Sequence, residues 1–254
     1  MAVVETVRNG QVLIVRMNRP ESLNALNTEL RQKLAETWTE FRASKELEVA
    51  IFTGAGRAFC AGEDMKESLA ANKPGGVKPT IADPFMDGSL EKPVIAAING
   101  PCTGAGLQIT LSCDLRVASD QARFGFRENN IGLIPGAGGC SRLVKLIGYG
   151  RAKELIFTGE MIAASEAERI GLINRVVPHD ELMAHTRQLA EHLLTRAPEA
   201  LGLAKRLLWH SVTSDFATGR MLEALAQSVL IKSSDHREGV RAFREKRKPQ
   251  FKGE

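Results

Sequence analysis

The chain has a single tyrosine, two tryptophans and four cysteines, and aromatic residues make up only 5% of its 254 residues. The four thiols, Cys60, Cys102, Cys113 and Cys140, lie scattered, without the short paired spacing of a metal site or a dense disulfide framework. Buried free cysteines are therefore expected. Long apolar runs are also missing: Pro93-Val94-Ile95-Ala96-Ala97-Ile98 falls far short of the roughly 20 residues that span a bilayer, so no transmembrane helix is expected. The N-terminal segment mixes Glu5, Arg8, Arg16 and Arg19 into its apolar residues, unlike the charged start and unbroken apolar run of a secretory leader; a cytoplasmic protein is expected. The five histidines form no ligand cluster with cysteines or carboxylates, so no metal is expected. There is no internal repeat.

What is present is the composition of a globular protein, with 43% hydrophobic and 25% charged residues, enough for one large domain or a domain with an appendage. The net charge of +4 is modest. Its one local concentration is the tail from Arg241 to Lys252, with Arg244, Lys246, Arg247 and Lys248 between them. Such a tail reads either as a phosphate contact or as a solvated helix end.

Val12-Leu13-Ile14-Val15, Val49-Ala50-Ile51-Phe52 and Val94 to Ile98 are short, β-branched apolar runs and read as buried strands. Between the first two, Thr28 to Ser44 spaces Leu30, Leu34, Trp38 and Phe41 by three and four, the pattern of an amphipathic helix. Strand and helix patterns alternate to about Val177, which argues for an α/β architecture. From Glu181 onward the patterns are helical only, including Thr195 to His210 and Gly219 to Lys232, and this region reads as a packing or assembly appendage. Lys66 to Lys92 holds Pro74, Gly75, Gly76, Pro79, Pro84 and Gly88 with poor periodicity, and reads as a loop or a surface insertion.

Two segments place a small-residue turn between a strand and a helix: Ala58-Phe59-Cys60-Ala61-Gly62-Glu63-Asp64-Met65-Lys66, and Ile98-Asn99-Gly100-Pro101-Cys102-Thr103-Gly104-Ala105-Gly106-Leu107-Gln108. Backbone amides at a helix start have no intrahelical acceptor and can hold an anion. Two such turns side by side would make an oxyanion hole, although glycine turns of this kind are more often structural.

The order Asn18-Arg19-Pro20, Leu23-Asn24-Ala25-Leu26, Phe59-Cys60-Ala61-Gly62 and Lys92 through Gly100 resembles the crotonase (enoyl-CoA hydratase/isomerase) superfamily. The match continues through Cys113-Asp114, Phe124-Gly125, Gly132-Leu133-Ile134-Pro135-Gly136-Ala137-Gly138-Gly139, Phe157-Thr158-Gly159 and the tail Ala242 to Phe251, covering essentially the whole chain. The resemblance implies an α/β spiral of repeated β-β-α units over 1–195 that holds an acyl-CoA site. It also implies a helical oligomerisation region over 196–254 that builds a trimer or a hexamer.

It further implies that the amides of Glu63 and Ala105 grip the carbonyl of an acyl-CoA thioester while an enolate forms. Glu128, in Phe126-Arg127-Glu128-Asn129, aligns with a catalytic glutamate. Gln108 stands where many hydratases carry a second glutamate. A carboxamide orients water but cannot take up or deliver a proton at neutral pH. One carboxylate resembles the monofunctional isomerases; the Ile134 to Gly139 segment, with the Gly136 amide at a water-holding position, resembles the hydratases. Both reactions stay open.

Asp83, Asp87 and the Glu63 side chain are the alternative acids, and Asp64 reads as a helix-start residue. For coenzyme A, which arrives as part of the substrate with no separate cofactor, the resemblance implies Lys66, the backbone at Ala25 and Ala61, and Phe243 and Lys246 from a neighbouring subunit. A different class remains as an alternative: some crotonase relatives bind RNA, and the tail is basic, but no wider basic face accompanies it.

Overall fold

The computed structural model describes residues 2–71 and 81–253. Part of the expected Lys66 to Lys92 loop lies outside the described residues. The helix expected after the Ala58 to Lys66 turn is α2 in the numbering below, Met65–Ala71, and it takes up the start of the segment read as a loop.

Strands β1 (Val4–Asn9) and β2 (Val12–Met17) form an antiparallel hairpin closed at Asn9-Gly10-Gln11-Val12, with Gly10 at φ 56° in the first central position of the turn. The sequence reading missed β1, whose residues are largely exposed. Helix α1 (Thr28–Ala43) follows, its Asn27 cap accepting from the Leu30 amide at 2.9 Å. Then come β3 (Val49–Gly54), α2, β4 (Val94–Ile98), β5 (Cys102–Thr103), α3 (Ala105–Thr110), β6 (Leu115–Ser119) and β7 (Arg123–Gly125). After these the chain forms α4 (Gly139–Ile147), α5 (Tyr149–Thr158), β8 (Ile162–Ala163), α6 (Ala164–Arg169) and β9 (Arg175–Val177).

The main sheet has the order β1-β2-β3-β4-β6-β9 and is parallel from β2 onward, with Phe52 opposite Ala96. Its strands alternate between two cores, as a two-residue side-chain period requires. Leu13, Val15, Ala50, Phe52, Ala96 and Ile98 face the larger core with Leu30, Leu34, Trp38 and Phe41 of α1. Val12, Ile14, Val49, Ile51, Ile95 and Ala97 face the smaller one, which α7 (Leu182–Leu194) covers with Leu182 and Ala190. A second layer holds β5, β7 and β8, and the Cys60–Cys102 and Leu26–Glu63 bridges extend it. Strand, second-layer segment and helix thus recur in order, which is the β-β-α spiral.

Beyond α7 the described chain is helical: α8 (Pro198–Ser211), α9 (Phe216–Leu230) and α10 (Ser234–Glu245). Lys205 of α8 fastens this region to the sheet by donating to Asp114 Oδ2 at 2.9 Å and to the Lys92 carbonyl at 3.0 Å. Cys60, Cys102 and Cys113 are buried free thiols; burial pushes Cys60 and Cys113 up to about 12. Cys140 departs from the expectation and is exposed, because it starts the solvent face of α4.

Asn24 ties the N-terminal turn to the sheet. It adopts φ 57°, a conformation asparagine tolerates better than most residues, and it is fully buried. Its Oδ1 accepts from the Arg19 amide, and its Nδ2 donates to the carbonyls of Ala55 and Ala58, each at 2.9 Å. Asn24→Ala strands those buried groups in an unfavourable backbone conformation, so a loss of about 2 kcal/mol or more is expected in urea denaturation. A midpoint equal to that of the unaltered protein would refute this assignment.

Candidate active site

The two turns lie side by side. The amides of Phe59 and Cys60 donate to the Pro101 carbonyl at 3.1 and 3.2 Å, the Thr103 amide donates to Cys60 O at 3.0 Å, and the Thr103 hydroxyl donates to Ala61 O at 2.9 Å. Gly62 stands at φ 100°, and a Cβ there would lie 3.2 Å from the Thr103 carbonyl and 3.6 Å from the Ala105 nitrogen. Ala105 is the first residue of α3, so its N–H has no intrahelical acceptor. The Leu26 amide donates to Gly62 O at 2.8 Å and the Asp64 amide to Leu26 O at 3.0 Å. That parallel bridge turns the N–H of Glu63 away from Leu26. The two candidate oxyanion donors therefore come from adjacent backbone segments.

Gln108, 7% exposed, sits one turn into α3, and Glu128 follows β7 at the start of a short 3-10 turn. Gln108 Nε2 donates to Glu128 Oε1 at 2.7 Å. Glu128 Oε2 is buried and has no hydrogen-bond partner among the described residues. Burial raises the Glu128 carboxyl above its ordinary value, against the smaller lowering effects of nearby backbone amides and the Gln108 donor. Gly104, at φ 53°, lies so close that a Cβ would come within 3.4 Å of Glu128 Oε1. Gly139 packs on Gln108, where a Cβ would lie 3.0 Å from Cγ, and donates to Gly136 O at 2.6 Å.

Gly62, Glu63, Ala105, Gln108, Glu128 and Gly136 line one cleft of ≈ 1150 Å³. Its apolar wall includes Leu34, Trp38, Phe85 and Ile109. Of the alternative acids, Glu63 pairs with Arg31, and Asp83 accepts from the Phe85 amide at 2.9 Å, with burial raising its carboxyl. Both line the cleft. Asp87 is not among the lining residues and accepts from the Ser89 amide at 2.8 Å. Asp64 pairs with Arg19 at 3.0 Å, which lowers its carboxyl, and it accepts from the Lys66 amide at 3.2 Å, in keeping with its helix-start reading.

The residues expected for coenzyme A are dispersed. Ala61 lines the cleft. Ala25 does not; its carbonyl accepts from Arg19 Nη1 at 2.5 Å. Lys66 is exposed on α2. Phe243 is 85% exposed on α10, Lys246 follows that helix at φ 53°, and neither lines the chain's own cleft. Among the described residues no group of three or more histidine, cysteine or acidic side chains is arranged to hold a metal ion. No helix among them is long and apolar enough to cross a membrane.

The family model for enoyl-CoA hydratase/isomerase matches residues 7–254. The chain belongs to the enoyl-CoA hydratase/isomerase family. It is 40% identical to the short-chain-enoyl-CoA hydratase of Clostridium acetobutylicum, over 95% of this chain and 94% of that protein. To the 2,3-dehydroadipyl-CoA hydratase of Escherichia coli it is 36% identical over 97% of each. The crystal structure of an enoyl-CoA hydratase from Bacillus anthracis superposes with a TM-score of 0.93 at 37% identity, covering 99% of this chain and 100% of that one. The crotonase fold is thereby established for this family member.

Sequence reasoning missed Arg31 and Arg142. Arg31 lies three and seven residues before Leu34 and Trp38, on one stripe of α1, so a helical wheel would have placed it beside the cleft. Arg142 carried no such signal, because its partners come from distant segments.

A base at Glu128 must be ionised, so turnover is expected to fall as pH drops through its raised pKa, with an acid limb above pH 4.5. Stability runs the other way. The folded state holds this proton more tightly than the unfolded chain, so the contribution is full below the unfolded value and disappears as pH rises through the folded one. Glu128→Gln should keep acyl-CoA binding, lose most turnover and remove this limb. A pH–rate profile with near-native turnover in the variant would sink the assignment.

Proposed function

We propose that this protein is an acyl-CoA enzyme in which the Glu63 and Ala105 amides stabilise a thioester enolate and Glu128 transfers the proton. The observation that carries the reading is the Gln108–Glu128 pair, in which a carboxamide holds one carboxylate oxygen and leaves the other buried and unpartnered among the described residues. Glu128 takes a proton from the carbon beside the thioester, the electron pair moves into the enolate, and the same carboxyl returns the proton to the γ carbon. Double-bond migration needs one base. Hydration is a second reading, favoured by Gly136: it lines the same cleft as Glu128, and the named relatives are hydratases. There Glu128 and the Gly136 amide would hold the water, with Gln108 as a neutral acceptor.

The decisive assay offers 2-enoyl-CoA and 3-enoyl-CoA thioesters and follows water addition and double-bond migration separately. Slow hydration is expected, and Gln108→Glu should raise it ~100-fold, the usual scale of general acid–base assistance. Rapid hydration by the unaltered protein contradicts the one-base reading, as does no gain in a variant whose new carboxylate faces the alkene.

In the same reading Ala25, Ala61 and Lys66 hold coenzyme A within one subunit, and Phe243 and Lys246 reach a neighbour's site in a trimer or hexamer working in the cytoplasm. The exposure of Phe243 and of Leu208, Phe216 and Leu225 on α8 and α9 supports assembly through 196–254. Phe243→Ala with Lys246→Ala should weaken coenzyme A binding about tenfold and restore function when mixed with Glu128→Gln subunits. Unchanged affinity would remove the tail from the site. RNA binding is the weaker alternative: Arg247 is paired with Glu238 and Glu245, and Arg241 with Glu238, which neutralises part of the basic tail. Steeply salt-dependent RNA affinity would favour it.

A further inference from the structure

Arg142 is half-buried and takes no part in the chemistry above. It sits in the first turn of α4, directly after the segment that carries Gly136. Its Nη1 donates to the Ala137 carbonyl and its Nη2 to the Met86 carbonyl, each at 2.7 Å. The guanidinium lies over Trp209 of α8, with Cζ 5.1 Å from the ring centroid. One side chain thereby joins the Ala137 turn, the cleft wall at Phe85 and Met86, and the helical region.

This arrangement is not one that stability alone would select. Burial lowers the Arg142 pKa, its Nε is buried without a partner, and no carboxylate pairs with it among the described residues. Elsewhere in the site Arg19 and Arg31 each meet an acid. A buried cation answered only by carbonyls and an aromatic face costs free energy. The turn it holds is itself strained, with Ala137 at φ 45° in the left-handed region. At Gly138 a Cβ would lie 2.4 Å from Nη1, so the turn is shaped around the guanidinium. Directly before Ala137 stands Gly136, whose carbonyl accepts from Gly139, and Gly139 in turn rests on Gln108.

We propose that Arg142 is a positioning residue that fixes the Gly136 amide relative to Glu128 by tying the Ala137 turn to the Met86 segment of the cleft wall. Water addition then depends on Arg142 more than enolate formation does, because the enolate needs only the Glu63 and Ala105 amides and the Glu128 base. Lysine cannot substitute, since a point charge does not bridge two carbonyls in one plane and stack on indole. The proposal rests on the reading of the cleft as an enoyl-CoA site.

The test uses the intact protein with Arg142→Lys and Arg142→Ala. Amide hydrogen exchange should quicken roughly tenfold in both 134–139 and 83–88, the two segments that Arg142 joins, with β3 and β4 unchanged. Water addition to a 2-enoyl-CoA should fall roughly tenfold further than solvent-deuterium exchange at the α carbon of a saturated acyl-CoA. Added guanidinium ion should restore part of the water addition in Arg142→Ala. Exchange confined to α4, or equal loss of the two reactions, overturns the proposal. If the unaltered protein catalyses neither reaction, the enoyl-CoA reading falls, and joint loosening of the two segments alone then decides whether the clamp exists.

Discussion

The close approach of two backbone turns governs the site. Phe52 and Ala96 pair in register across β3 and β4, and the chain then continues into Cys60 and Cys102, which also pair. The approach leaves no room for side chains between the segments: a Cβ on Gly106 would fall 2.5 Å from the Cys60 carbonyl, and one on Gly100 would fall 2.1 Å from the Arg57 carbonyl. Glycine is required at these points for steric reasons. The reward is that Glu63 and the start of α3 face one cleft from neighbouring strands, where backbone amides act without any side chain to deprotonate.

Polar groups around this contact divide by whether they are satisfied. Asn24, Lys92 and Arg116 spend their donors on carbonyls: Lys92 Nζ on those of Phe41, Ser44 and Leu47, Arg116 on those of Leu172, Cys113 and Thr110. These close the ends of helices and turns. Glu128 is different, since one oxygen is held by Gln108 and the other is buried with nothing to accept from. An unmet buried acceptor is costly in a resting protein and useful to a group that must receive a proton. Gln108 decides how that carboxylate is presented, and its neutrality separates this site from a two-acid one.

The same division explains why the helical region bears on the cleft. Lys205 anchors α8 to Asp114 at the head of β6, and Trp209, one turn further along α8, meets Arg142. The helices outside the spiral are thus linked through Arg142 to the Ala137 turn of the cleft.

Much of this was legible in the residues themselves. The period-two runs in β2, β3 and β4 and the Leu30–Leu34–Trp38–Phe41 stripe declare their elements, because burial on a sheet or helix imposes those spacings wherever the partner lies. Ordered motifs along the whole chain declared the family and pointed to Glu128 and Gln108. β1 was not legible, as an edge strand with exposed side chains has little hydrophobic pattern, and neither was the exposure of Cys140. Above all, the sequence by itself determined which groups stand at the two aligned positions, one carboxylate at Glu128 and a carboxamide at Gln108 in place of a second. Only the tertiary structure decided that Gln108 grips Glu128, that Arg31 engages Glu63, and that Arg142 meets Met86, since each contact joins segments 20 to 56 residues apart whose meeting depends on how the layers pack.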